Sequence, residues 1–229
     1  MKHQVNTPAT TVAYFWRIRR RDLPFAFVHM GIDKFLLKRK SYTRFVKALG
    51  TGKGETFTPS DADLTRWGLV ITLDESSIAS LDNHPVIKSW RKNSLSEFRA
   101  VLDPISSHGL WAKENPFDYS TTPAQGQIAA ITRARIVWRK NLLFWSAVPP
   151  VTASLHRAKG LIKAIGIGEA PIGLQGTFSL WESAADLREF AYKGREHSEA
   201  IEATSRNKWY SEELFARFSV REVRGEISS

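Results

Sequence analysis

The sequence predicts an α+β fold of two tandem ferredoxin-like halves, each running β-α-β-β-α-β. Three observations predict it. The segment Lys47-Ala48-Leu49-Gly50-Thr51-Gly52 returns as Lys163-Ala164-Ile165-Gly166-Ile167-Gly168. Each copy leads into an apolar, strand-like run and then an acidic or Ser-containing helix start. Self-similarity at about half the chain length indicates two related halves rather than a solenoid of short repeats. The chain has 229 residues, is 42% hydrophobic, and carries 13 Phe and 8 Trp, enough for a fused pair of halves with a real core. A duplicated unit of this kind can place a ligand cavity against one of its sheets.

The elements of the first half, residues 1–105, follow from local pattern. Residues 11–19 read as a strand because Val12, Tyr14, Trp16 and Ile18 alternate with other residues. Pro24 opens a helix to about residue 40, with Phe25, Val28, Ile32, Phe35 and Leu36 on one stripe. Residues 49–57 form a glycine-bearing loop or strand. Ser60 and Asp61 look like a helix N-cap before Leu64. A buried strand at 67–73 and a helical turn or two at 76–81 follow. Residues 85–96 fit either type, and 98–105 read as the last strand.

Residues 106–125 contain Gly109, Pro116 and Pro123, and read as the loop between halves, with Trp111, Phe117 and Tyr119 as an aromatic patch. In the second half, 126–229, a strand at 127–137 precedes a helix at 142–159 interrupted by Pro149-Pro150. Strands at 160–168 and 174–181 come next. Ser183 begins a helix to Tyr192 that continues or restarts over 195–208, and residues 213–223 contain the last strand. Along 174–181, period 2 puts Gly176, Phe178 and Leu180 on one face and Gln175, Thr177, Ser179 and Trp181 on the other. The apolar face suits covering helices, so the polar face is expected to look into a cavity.

Composition excludes several chemistries. With no cysteine there are no disulfides, thiolate nucleophiles, iron–sulfur clusters or thiolate-ligated haem. No run of about 18 apolar residues suggests a transmembrane helix, and no signal-peptide core is seen. A cytoplasmic, soluble protein is expected. Residues 1–50 hold 11 Lys/Arg against 2 Asp/Glu, so nearly all of the net charge of +10 lies there. Docking on an anionic membrane surface and a plain solvated edge both fit this charge. Nucleic acid is not expected, because aromatics are not interleaved with the basic run as a stacking platform requires.

His197 is the leading candidate for chemistry. On a helix running through Gly194, Phe190, Gly194, His197, Ile201 and Thr204 share one mostly apolar stripe. An imidazole there is either a core histidine bonded to a carbonyl or a ligand to iron. His3, His29, His84, His108 and His156 form no H-x-x-x-H or H-E-x-x-H pair, so a zinc protease site is unsupported. The segment Gly50–Glu55 lacks the spacing of a phosphate loop, and its recurrence favours a structural turn or bulge. The pair Asp61/Asp63 reads as helix capping, and Glu212/Glu213 as a cap of a final turn. There is no G-x-S-x-G elbow.

The block from Ala164 to Trp181, together with Phe190-Ala191-Tyr192 and Trp209 to Phe218, resembles the spheroidene monooxygenase family. Leu49 to Gly52, Gly109-Leu110-Trp111 with Pro116-Phe117, Phe144-Trp145 and Val148 to Val151 fit as well, so the resemblance covers most of residues 40–220. It implies a haem-dependent oxygenase that makes a keto group on an acyclic carotenoid. It also implies kinship with dimeric α/β-barrel haem proteins such as chlorite dismutase and aldoxime dehydratase. In those relatives haem b lies between a sheet and helices of the C-terminal half on a proximal histidine, and His197 matches by place and helix as the iron ligand. With haem there, Gln175, Thr177 and Ser179 are either candidates to hydrogen-bond an iron-bound oxygen or plain polar sheet positions, and Arg133 or Arg135 either pairs with the haem propionates or is surface charge. Trp111, Phe117, Trp145 and Trp181 then either line an apolar substrate channel, with Trp181 at the cofactor, or are ordinary core. The implied partners are an apolar substrate, dioxygen, an electron donor, a peripheral membrane contact through the basic first 50 residues, and a second copy in a homo-oligomer. An aldoxime dehydratase-like lyase, a nitrogen-centred oxygenase and a non-enzymatic haem-binding protein are the alternatives on the same fold.

Overall fold

The alternation of Val12, Tyr14, Trp16 and Ile18 becomes β1 (Ala9–Ile18) in the computed structural model of the chain, which describes residues 9–118, 126–136, 152–193 and 210–227. Further strands are β2 (Thr43–Gly52), β3 (Ala62–Asp74), β4 (Ser94–Gly109), β5 (Ile128–Ile136), β6 (Leu161–Gly168), β7 (Gly176–Trp181) and β8 (Tyr210–Arg224). They close into one antiparallel barrel in the order β1-β3-β2-β6-β7-β5-β8-β4. The first four strands therefore lie as β4-β1-β3-β2 and the last four as β8-β5-β7-β6. Outside the barrel are α1 (Leu23–Lys38), α2 (Ile78–Asp82), α3 (Pro85–Asn93), α4 (Ala184–Lys193) and a helical segment at 152–156. The architecture is α+β.

The repeated glycine motif marks the seam between the two quartets. There β2 pairs with β6 through Gly50↔Gly168, Thr51↔Ile167 and Gly52↔Gly166. A Cβ on Gly50 would stand 2.2 Å from the Ala170 carbonyl oxygen, and one on Gly168 would stand 2.5 Å from that of Gly173. Both motif copies need glycine because a neighbouring backbone crosses there.

Period 2 sorts the side chains into two buried sets. One fills the barrel: Phe15, Phe98, Ile131, Ile165, Phe178, Leu180 and Phe218, with Trp111 and Phe117 from the segment between quartets. The other faces the helices. Around β1 and β3 it contains Tyr14, Trp16, Trp67, Leu69 and Ile71 under Ala26, Met30 and Leu37 of α1 and Trp90 of α3. Around β5 and β7 it contains Ile128, Ala130, Ala164 and Trp181 under Leu155 and Leu187.

Three expectations are corrected and one open reading is resolved. Ser60 and Asp61 cap no helix, since β3 starts at Ala62. Instead Asp61 Oδ2 accepts backbone N–H groups from Gly54, Glu55 and Phe57 at 3.1, 3.0 and 3.1 Å and fixes the loop before β3. Residues 85–93, ambiguous in sequence, are helical, with His84 Nδ1 accepting the Val86 N–H at 3.3 Å. The α1 stripe Val28, Ile32, Phe35 and Leu36 is exposed, and Ala26, Met30, Asp33 and Leu37 are buried instead. The buried face packs Ala26, Met30 and Leu37 on Tyr14, Trp16 and Trp67, and within it Trp90 Nε1 donates to Asp33 Oδ2 at 2.7 Å with His29 Nδ1 3.0 Å from the same carboxylate. Finally, Phe178 and Leu180 of β7 point into the barrel and not toward helices. A closed barrel buries both faces of each strand, so apolar character alone does not say which face meets the helices.

Candidate functional site

Strand register gives a residue-by-residue comparison of the two helix-facing surfaces. In the first quartet Trp16 pairs with Trp67, Tyr14 with Leu69 and Val12 with Ile71. In the second, Thr132 pairs with Thr177, Ala130 with Ser179 and Ile128 with Trp181. The flanking strand is alike in both, with Gly50 and Ala48 beside Trp67 and Leu69, and Gly166 and Ala164 beside Thr177 and Ser179. The second sheet thus carries small residues where the first carries two indoles, a phenol and a leucine. Ala130, Thr132, Ala134, Ala164, Thr177 and Ser179 make a small-residue floor on the helix-facing side, with Ala130, Ala164 and Ser179 buried and with Leu174 and Gly54 filling the space over Gly166.

One end of this floor is closed by Trp181, which is fully buried with its ring 5.4 Å from that of Phe190 on α4. Trp181 Nε1 donates to Ser179 Oγ at 2.9 Å. Ser183 Oγ accepts the Asp186 N–H at 3.2 Å and starts α4, which carries Leu187 and Phe190 over that end. Thr177 is half-buried on the floor, and Gln175 is half-buried just before β7. The Gln175 backbone joins the sheet, its N–H donating to Ile167 and its carbonyl accepting from Ala134, both at 2.8 Å. The structure therefore puts Thr177, Ser179 and Trp181 on one surface and Gln175 at its edge. His197, Trp145 and Tyr119 lie outside the described residues.

The arginines lie elsewhere. Arg135 is exposed. Arg133 is on the barrel-interior face of β5, opposite the floor, and is buried. Its Nη1 meets Glu212 Oε1 at 2.5 Å and its Nη2 meets Glu169 Oε1 at 2.7 Å. Lys47 Nζ adds a 2.7 Å ion pair to Glu169, Trp111 Nε1 donates to Glu169 Oε1 at 2.8 Å, and the Arg133 guanidinium stacks 5.4 Å over the Trp111 ring. Glu212 also accepts the N–H groups of Ala112 and Lys113 at 2.9 and 2.7 Å. Those two residues have φ of 57° and 65°, a left-handed pair that costs energy unless held, and the Glu212 carboxylate holds it. Burial raises the Glu169 carboxyl, but hydrogen bonds from Lys47 and Trp111 and the Lys47 and Arg133 charges outweigh it and leave it below its ordinary value. Glu212 is lowered the same way by its backbone donors and Arg133. Arg133, Trp111 and Glu212 drew notice in the sequence for other roles, but their meeting with Lys47 and Glu169 was not legible there because the members come from five separate segments.

At the other barrel end, where β1 ends and β3 and β6 begin, the described residues leave a groove of about 900 Å³. Arg17, Arg20, Lys53, Arg66, His156 and Lys163 line it, with Glu55 and Asp63 as counter-charges, and it reaches the floor at Ala164. Arg17 Nη1 meets Asp63 Oδ2 at 2.6 Å there.

A closed eight-stranded α+β barrel with one bulky and one small-residue helix-facing sheet is the class of protein defined so far. No protein-family model matches the chain. It is similar to aldoxime dehydratase in fold, with a TM-score of 0.58 at 10% identity over 96% of this chain and 83% of that one. A second aldoxime dehydratase, crystallised with butyraldoxime, superimposes with a TM-score of 0.56 at 11% identity over 93% of this chain and 80% of that one. In sequence it is 32% identical over 223 residues to spheroidene monooxygenase of Rhodobacter capsulatus, covering 95% of this chain and 92% of that protein. It is 34% identical over 186 residues to spheroidene monooxygenase of Rubrivivax gelatinosus, covering 80% and 70%. The enzyme of that name from Cereibacter sphaeroides matches at 34% over 182 residues, 77% of this chain and 56% of its own length. The chain belongs to the spheroidene monooxygenase family and is a monooxygenase.

Proposed function

We propose that this chain is a haem-dependent monooxygenase that introduces oxygen into a carotenoid, with the porphyrin resting on the floor of β5, β6 and β7. The observation that carries the reading is the exchange of Trp16, Trp67, Tyr14 and Leu69 in one quartet for Thr132, Thr177, Ala130 and Ser179 in the other. A flat macrocycle needs a floor free of bulky side chains, and Thr132, Thr177, Ala130 and Ser179 supply small ones. The activity of the relatives supplies the substrate class.

Bound haem would supply the centre at which dioxygen is activated. Every other part belongs to the chain. His197 is the imidazole that would hold the iron, since no cysteine is available to do so. Trp181 and Phe190 wall one end of the floor and exclude water. Ser179 Oγ accepts from the Trp181 indole, so its own proton remains for donation across the floor. The Thr177 and Thr132 hydroxyls stand beside it with the same capacity. An external donor supplies electrons. On this reading the barrel is a duplicated β-α-β-β-α-β unit, one copy kept as packed scaffold and the other opened for a ligand.

Reconstitution with hemin tests the cofactor. A Soret band in the wild type that is lost or shifted in His197→Ala supports it, and a preparation that stays colourless removes it. Incubation with an acyclic carotenoid, an electron donor and isotopically labelled dioxygen tests the reaction, with label in a keto product as the expected result.

A further inference from the structure

The exposed face of α1 is the most unusual surface among the described residues. Phe27, Val28, Ile32, Phe35 and Leu36 stand 43, 56, 51, 59 and 42% exposed. At about 100° per residue they span an arc of roughly half the helix circumference. Contiguous apolar surface of this kind marks an interaction site. Cations frame it. Arg19, Arg20 and Arg21 are exposed before the helix, and Lys38, Arg39 and Lys40 are exposed at its end. At the edge of the arc, Lys34 Nζ lies 5.1 Å over the Phe35 ring. The carboxylates of this segment answer little of that charge: Asp33 is buried against Trp90, and Asp22 pairs with Arg21 alone at 3.9 Å.

We infer that α1 is an in-plane docking helix for an anionic lipid bilayer. Its apolar arc enters the headgroup–acyl boundary while the terminal cation clusters meet lipid phosphates. Charge decides between this occupant and a second copy of the chain. Two α1 helices packed antiparallel across a two-fold axis would set Arg19–Arg21 of one protomer against Lys38–Lys40 of its partner, which like-charge repulsion opposes. An anionic bilayer meets all of these cations at once. The face does not serve as a span, since among the described residues no helix is long and apolar enough to cross a membrane. The inference stands on α1 and not on the haem reading.

The test is co-sedimentation of the full chain with phosphatidylglycerol-containing vesicles and with pure phosphatidylcholine vesicles, with no haem or substrate needed. The expected result is binding to the anionic vesicles alone, weakened as salt rises. Ile32→Glu/Phe35→Glu, on an exposed face, should lower the vesicle-bound fraction at least tenfold with an unchanged circular dichroism spectrum. Lys38→Glu/Arg39→Glu should shift binding to lower salt. Wild-type protein that stays in the supernatant overturns the inference. So does binding that the Ile32→Glu/Phe35→Glu variant retains. Sedimentation velocity showing a dimer that this variant dissolves would also overturn it, in favour of a protein interface.

Discussion

The two helix-facing sheets of this barrel share strand order and flanking glycines, yet they solve different problems. Around Trp16 and Trp67 the space above the sheet is packed. Tyr14 and Trp16 stack at 5.1 Å, Trp16 and Trp90 stack at 5.1 Å, and Phe27 meets Trp67 edge-on at 5.3 Å. The indoles also bond outward, Trp16 Nε1 to Glu97 and Trp67 Nε1 to the Leu64 carbonyl, each at 2.7 Å. Around Thr132 and Thr177 the sheet supplies almost no bulk. Large buried aromatics stabilise a fold, and the proposed function takes their loss on one side as room for a ligand.

The largest expected effect breaks the packed side. Trp67→Ala should cost about 3–5 kcal/mol in urea unfolding, as large-to-small changes in a close-packed core do. Thr177→Ala, at the matching position, should cost less than about 1 kcal/mol by the same measurement. Equal costs would end the comparison. Next is the buried cluster. Arg133→Met leaves Glu169 and Glu212 without their shared cation and should cost about 3 kcal/mol by the same measurement. Thr177→Trp sharpens the contrast from the other side. It copies Trp67 onto the second sheet and should weaken hemin binding at least tenfold, or about 1.4 kcal/mol, with the fold intact. Unchanged hemin affinity would separate the floor from the cofactor.

The smallest effect is in pH. Glu169 and Glu212 both titrate below their ordinary 4.5 in the folded state. A depressed folded value means stabilisation that is complete above the unfolded value and lost as pH falls through the folded one. Melting temperature should therefore drop below pH 4.5, and Glu169→Gln should flatten that drop. A parallel decline in both proteins would show that other carboxylates govern acid unfolding.

Much of this was legible in residue pattern. The repeated Lys-Ala-x-Gly-x-Gly segment pointed to two related stretches, and in the barrel these are the strands that meet, Gly50 opposite Gly168. Thr177, Ser179 and Trp181 could be grouped on one strand face because period 2 is a property of the extended backbone itself. Asp61 could not be read, because an aspartate suits a helix cap and a loop-binding carboxylate equally well, and only the path of residues 53–57 distinguishes them.

Alone, the sequence determined strand and helix periodicity, the absence of thiolate chemistry, the concentration of charge in the first 50 residues and the family. Tertiary structure decided which side of each element is inside. The apolar stripe of α1 faces out while Ala26, Met30 and Leu37 pack beneath the helix beside the Asp33–Trp90 hydrogen bond, and Phe178 faces the barrel because closure buries both sides of β7. The loss of bulk at Thr132 and Thr177 became visible only when register set them against Trp16 and Trp67. Periodicity is local, whereas the choice of face and the cross-strand neighbour depend on contacts between residues far apart in the chain.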